Sequence, residues 1–197
     1  MTKALQNAEL KRSSIVREAG RLFLRHGYGA TSMDAVAREA NVTKQTVYRY
    51  FGTKEELFVA VMEQVRSSQA APTALGDGPL AEELLRFGTE VLAFHLSDEA
   101  LGLYRLMLTE GSSGGLMPSF MKAGPRRLLQ PLAAFLRERC PALDDPAFAA
   151  QMFLTMVLAP RAQRLMHGAM KLDKATQVEH VGRVVNFFVG SVNPSGR

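Results

Sequence analysis

Lys44, Gln45, Thr46, Tyr48, Arg49 and Tyr50 set six hydrogen-bonding side chains into seven consecutive positions of a 197-residue chain. Cations, an amide and hydroxyls in one run are the groups that pair with base edges and phosphate oxygens. Elsewhere the reactive chemistry is sparse. No carboxylate or histidine cluster has catalytic spacing, and the sequence holds neither a serine elbow nor a strand-turn-glycine phosphate cradle. His95, Arg105, His167 and His180 could each anchor the polar group of a ligand, but no pair of them makes a metal-ligand spacing with nearby carboxylates. These residues predict no enzyme, no metal and no cofactor. Cys140 has no partner within the chain, which fits a reducing compartment and a thiol in the loop before Pro141.

The charge is distributed to suit the same chemistry. The whole chain carries a formal +5, yet residues 1–54 hold ten basic side chains against four acidic ones, a net of +6 that leaves −1 for the remainder. A basic front on a near-neutral body is the pattern of a polyanion-binding head. No basic start followed by an apolar signal core is present, and no stretch approaches the ~18 unbroken apolar residues of a membrane helix. The expectation is a cytoplasmic chain with no membrane partner.

The elements that must position residues 44–50 are short helices. From about Glu9 to His26, the residues Ile15, Ala19, Leu22, Phe23 and His26 recur at helical spacing, and Gly27 offers the left-handed residue that closes a helix. Thr31 stands three positions before Asp34 in a capping-box pattern, opening a short helix with the stripe Met33, Val36, Ala37 and Ala40. That helix stops at Asn41, a residue tolerant of positive φ, and Thr43 caps the next one. In the third helix Val47 and Phe51 face inward, which turns the hydrogen-bonding set outward. Gly52 ends it, and Thr53 with Glu56 forms a second capping box ahead of the stripe Leu57, Phe58, Val61 and Val65. Residues 70–79 collect the breakers of a junction. Beyond it, helical patterns run over about 80–96, 98–110, 118–138, 145–168 and 174–190, with a kink or break implied at Pro160. No alternating strand and no internal repeat is present.

Residues 31–57 therefore read as a helix, a tight turn and a second helix ending in aromatics, which is a helix-turn-helix by pattern. The run from Val42 to Leu57, Val-Thr-Lys-Gln-Thr-Val-Tyr-Arg-Tyr-Phe-Gly-Thr-Lys-Glu-Glu-Leu, resembles the recognition helix and the start of the fourth helix of the TetR family. The resemblance covers roughly residues 10–65 closely; farther along only a similar length and an all-helical pattern match. Asn41 departs from the glycine that many members carry at the turn, and it can adopt the same backbone conformation.

Lys44, Gln45 and Thr46, by their place at the start of the third helix, are the candidate base readers: lysine for guanine, glutamine for adenine, the threonine methyl for a thymine methyl. Arg49 could read a base or hold a phosphate. The resemblance implies phosphate contacts by Tyr48, Tyr50 and Lys54 and by the hydroxyls of Thr31 and Thr43. It also implies an all-α protein of about nine helices: a three-helix DNA-binding head with a connecting fourth helix over 1–69, and a helical ligand-binding and dimerisation bundle over 70–197. Expected partners are a double-stranded, palindromic operator, a small-molecule effector and a second copy in a homodimer. Repression is the usual mode in that family; an activator or a DNA-binding protein without a ligand site is the alternative.

In the body, methionine and aromatic side chains suit a pocket for an apolar or planar ligand as well as they suit core filling. Phe94, Tyr104, Met107, Met117, Met121, Met152 and Met156 are the candidate lining. In TetR-like proteins the last two long helices usually build a four-helix dimer interface. Val181, Val184, Val185 and Phe188 form the strong apolar face on the last helix here, and they are the candidate contacts.

Overall fold

The structure, a computed structural model, describes residues 3–68, 74–110, 125–167 and 171–192. Among these residues it is all-helical, as the patterns predict. Ten helices follow one another: α1 (Lys3–His26), α2 (Met33–Glu39), α3 (Lys44–Tyr50), α4 (Lys54–Ser68), α5 (Leu80–His95), α6 (Asp98–Glu110), α7 (Pro125–Arg139), α8 (Pro146–Val157), α9 (Ala159–His167) and α10 (Lys174–Val192). The tenth arises where one helix is expected over 145–168. The break falls at Leu158, and Pro160 occupies the first turn of α9, where its missing N–H has no intrahelical partner to lose. Asp145 caps α8 by accepting from the Phe148 N–H at 2.9 Å.

The chain divides into two compact units: Met1–Ser68 with the stretch that begins at Gly102, and Gln69–Leu101 with the stretch that begins at Lys122. In the first unit α1 packs on α4 and α2 on α3. Its core gathers Ile15, Ala19 and Phe23 of α1, Val36 and Ala37 of α2, Val47 and Phe51, and Leu57, Phe58 and Val61 of α4. Leu103, Leu106 and Met107 of α6 complete it. Met107 packs into the core of the first unit, buried to 3% exposure.

The second unit closes α5 against α10 and α8 against α7. Leu84, Phe87, Val91 and Leu92, Leu132 and Leu136, Ala150, Phe153 and Val157 fill its centre. Val181, Val184, Val185 and Phe188 belong to the same centre, between 0% and 9% exposed. Within one copy these four candidate dimer contacts pack against α5 and α8. A glycine allows that approach, since a Cβ on Gly88 would stand 2.8 Å from Val181 Cγ1 and 3.3 Å from Phe153 Cζ. The apolar side chains left outside in this unit include Phe148 of α8 and Val178 and Phe187 of α10.

Candidate nucleic-acid interface

The turn that aims α3 is built from backbone hydrogen bonds. The Ala40 N–H donates to the Val36 carbonyl and the Val42 N–H to the Ala37 carbonyl, both at 2.9 Å, which forces Asn41 between them into the left-handed region at φ 53°. Thr43 then turns extended and caps α3, its Oγ1 accepting from the Thr46 N–H at 3.2 Å. With Val47 fully buried and Phe51 at 3% exposure, the opposite face of α3 presents Lys44, Gln45, Tyr48 and Arg49 to solvent. Behind the turn, Arg21 of α1 bridges Glu18 and Glu39 and ties α2 to the long first helix.

The candidate readers do not all stand equally ready. Gln45 and Arg49 are exposed. Lys44 is exposed too, but its Nζ lies 2.9 Å from Asp34 Oδ1, and that hydrogen bond raises the lysine's pKa above its ordinary value. Both side chains of this pair are mostly in water, so a phosphate or a base can compete for the ammonium. Thr46 is half-buried with its hydroxyl 2.9 Å from that of Thr43, which leaves its methyl as the free contact. Arg49 places its guanidinium 5.4 Å from the centre of the Tyr50 ring, and Tyr50 itself is half-buried against the first core.

Two of the candidate phosphate residues have partners within the protein. Thr31 is 3% exposed and its hydroxyl donates to the Gly27 carbonyl at 2.8 Å, so Ser32 rather than Thr31 caps α2. Lys54, half-buried, donates from its ammonium to the carbonyls of Tyr28, Gly29 and Thr31. Thr43, Tyr48 and Tyr50 keep positions beside the exposed face of α3. Asp34 and Arg38 escape sequence reasoning. Asp34 reads as a capping residue until folding brings it to Lys44, and Arg38 shares a surface groove with Ala37, Asn41, Val42 and Thr43.

Among the candidate ligand residues, Phe94, Met152 and Met156 are half-buried in the second unit, while Tyr104 and Met107 belong to the first. Met117 and Met121 lie outside the described residues.

A helix, a left-handed asparagine turn and a donor-rich second helix make the geometry of a DNA-reading head. The family model of the bacterial regulatory proteins of the tetR family matches residues 15–61, and that of the AefR-like transcriptional repressor C-terminal domain matches residues 82–191, more than half of the chain. The chain belongs to the TetR family. This TetR-family protein is thus a helix-turn-helix transcription regulator. Over 61 residues it is 38% identical to the HTH-type transcriptional repressor SCO4008 of Streptomyces coelicolor, covering 31% of this chain and 32% of that one. Over 54 residues it is 35% identical to the HTH-type transcriptional activator FasR of Mycolicibacterium smegmatis, covering 27% of this chain and 25% of that one. The match therefore spans about a third or less of these curated relatives. Solved structures match along nearly the full length. The Flavonoid-responsive Regulator FrrA shares 29% identity at a TM-score of 0.80, with 95% of this chain and 100% of that one covered. A TetR-family transcriptional regulator from Mesorhizobium loti shares 27% at 0.79, with 97% and 98% covered.

Proposed function

We propose that this regulator is a repressor that binds a palindromic operator as a homodimer and leaves it when a small apolar or amphipathic ligand occupies the C-terminal domain. The observation that carries this reading is the outward set Lys44, Gln45, Tyr48 and Arg49 on a helix fixed from behind by Val47 and Phe51. A twofold dimer presents two such helices to successive major grooves, which requires a half-site repeated with inversion. Selection of bound DNA from a random pool should return that inverted repeat, and an asymmetric site bound by one copy would overturn the dimeric reading. In the selected site, Gln45→Ala should cost roughly 1–3 kcal/mol and relax the preference at one position of each half-site. Unchanged base preference in a repeat selection with the variant would remove Gln45 from the readers.

For the ligand, Phe94, Met152 and Met156 supply adaptable apolar surface in the second unit, and the likeness to a flavonoid-responsive regulator favours planar compounds. A ligand that releases DNA must bind the released conformation better, and operator DNA must then weaken ligand binding by the same factor. Titration of a flavonoid panel with and without operator tests that reciprocity. Relatives named repressor and activator both match the head, so the direction of control is read in a reporter strain with and without the gene.

The dimer contact is assigned to the outer faces of α8 and α10, where Phe148 is 58% and Phe187 68% exposed. Large exposed aromatics on neighbouring elements are costly in a monomer and ordinary in an interface core. Phe187→Asp should shift sedimentation toward the monomer at micromolar concentration while leaving the helical content intact. A dimer of undiminished strength would move the interface elsewhere.

A further inference from the structure

We propose that Asp34 and Lys44 act as one specificity-determining unit that reads a single G·C base pair in each half-site, the ammonium taking the guanine and the carboxylate the cytosine. This deepens the DNA-binding reading and rests on it. The two side chains come from different helices. Asp34 lies in the first turn of α2, which Ser32 caps at the Ala35 N–H, and Lys44 opens α3. The turn at Asn41 folds the two helix starts together, and the lysine ammonium reaches both carboxylate oxygens, Oδ1 at 2.9 Å and Oδ2 at 3.1 Å. It also stands 5.9 Å from the centre of the Tyr48 ring, one turn farther along α3. The side chains are 60% and 59% exposed for Lys44 and Asp34. Ion pairs so exposed add little to stability, so the use of this one lies in what it presents.

That is a donor beside an acceptor. Two of the three ammonium N–H groups meet the carboxylate and one is left over, while each carboxylate oxygen keeps a second lone pair. In the major groove a G·C pair offers the complement: guanine O6 accepts, cytosine N4 donates its second hydrogen, and the two atoms, hydrogen-bonded to each other, lie about 3 Å apart. The spacing of the ion pair matches. An A·T pair also sets a donor, adenine N6, beside an acceptor, thymine O4, and the neighbouring atoms decide between the two. Next to O6, guanine adds N7 as a second acceptor for the ammonium, where thymine has only its methyl group. Next to N6, adenine adds the N7 lone pair, which repels a carboxylate, where cytosine has a C–H. The carboxylate selects by exclusion as well: its charge opposes the phosphates of every sequence, and only a base N–H offered to it offsets that cost. A purely structural use of Asp34 makes a different prediction. The first turn of α3 carries Lys44 and no acid, against the preference of the helix dipole, and a nearby carboxylate relieves this whatever the DNA sequence.

Selection of bound DNA from a random pool by the full-length protein separates the two uses, with unchanged thermal melting as the check that each variant is folded. The wild type should return a G·C pair at one fixed place in each half-site. Asp34→Asn keeps the size and the acceptor, adds an amide donor and removes the charge. An amide suits adenine N6 and N7, and Lys44 can donate to O4 of the thymine opposite, so the preference at that pair should move from G·C to T·A by about tenfold. Asp34→Ala should lose about tenfold in discrimination at the same pair while binding unrelated DNA more tightly, because a charge opposed to the phosphates is gone. Lys44→Ala should relax that pair too, and the double variant should lose little more discrimination than either single one, as expected of groups that act together. Wild-type preference at every position in both Asp34 variants, with affinity for all sequences changed alike, would overturn the proposal and leave Asp34 as a counter-charge. So would relaxation of two different base pairs by Asp34→Ala and Lys44→Ala. A wild type that selects no sequence would overturn the DNA-binding reading and this proposal with it; a selected inverted repeat to which the Asp34 variants are indifferent would overturn the proposal alone.

Discussion

Phe153→Ala should cost the fold about 3–5 kcal/mol, the range for truncating a fully buried phenylalanine whose surroundings cannot collapse. Phe153 has no exposed surface, meets the Phe188 ring edge-on at 5.1 Å and lies against the backbone of α5 at Gly88. The cavity would open where three helices already touch, and Gly88 has no side chain to move into it. Against a total stability of ~5–15 kcal/mol, such a loss leaves the second unit marginal at physiological temperature. Urea denaturation of wild type and variant measures it. A loss below about 1 kcal/mol would mean that α5, α8 and α10 close over the gap, contrary to the tight approach at Gly88.

Acidification should cost nearly as much through a single imidazole. His95, at the end of α5, is 7% exposed, its Nδ1 is 2.7 Å from the Val91 carbonyl and its ring stands edge-on to Phe94. Burial pulls its pKa down from 6.5 to about 4, and the positive charge of Arg161 works in the same direction. Above pH 6.5 the ring is neutral in both folded and unfolded chains and pH has no effect through it. Between 6.5 and 4 the unfolded chain takes up a proton that the native protein refuses, so stability falls on acidification by about 1.4 kcal/mol per pH unit. The full loss is about 3 kcal/mol, of which about 2 arrives by pH 5. Asp98 and Asp173, whose carboxyl pKa values are lowered from 3.8 by Lys171 and by the Thr176 N–H, act below this window, and Glu18, lowered from 4.5 by Arg21, enters only at its acidic end. Denaturation at pH 7.5 and 5 should therefore separate wild type from His95→Leu by about 2 kcal/mol in the pH response. Parallel losses in the two proteins would show His95 to be protonated in the native state.

The helices of the first unit were legible because local signals agreed there. Gly27, Asn41 and Thr43 each take the conformation that their types favour, with φ of 89° at Gly27 and 53° at Asn41. Val47 and Phe51 face inward as their four-residue spacing requires. What sequence could not show were partners brought together by folding. Thr31 and Lys54 are a cap and a cation to any local reading, and their actual partners are carbonyls reached across a turn. The valines of α10 form one apolar stripe whether a neighbouring helix or a second copy covers it, and periodicity alone does not distinguish the two. The ligand lining was the least legible, because methionine and phenylalanine fill cores and pockets by the same chemistry.

The first unit is not a contiguous piece of chain. Its core is finished by Leu103, Leu106 and Met107, which arrive more than thirty residues after α4 ends at Ser68. A gene fragment that stops after α4 would leave Leu103, Leu106 and Met107 behind and the core they complete open to water. Grafting this reading head onto another regulator's body thus means either carrying α6 with it or finding a recipient whose own helix offers the same three side chains. Recombination can shuffle such proteins at the 70–79 junction only among bodies that already supply this keystone, which ties the inheritance of the two halves together more closely than a beads-on-a-string arrangement would.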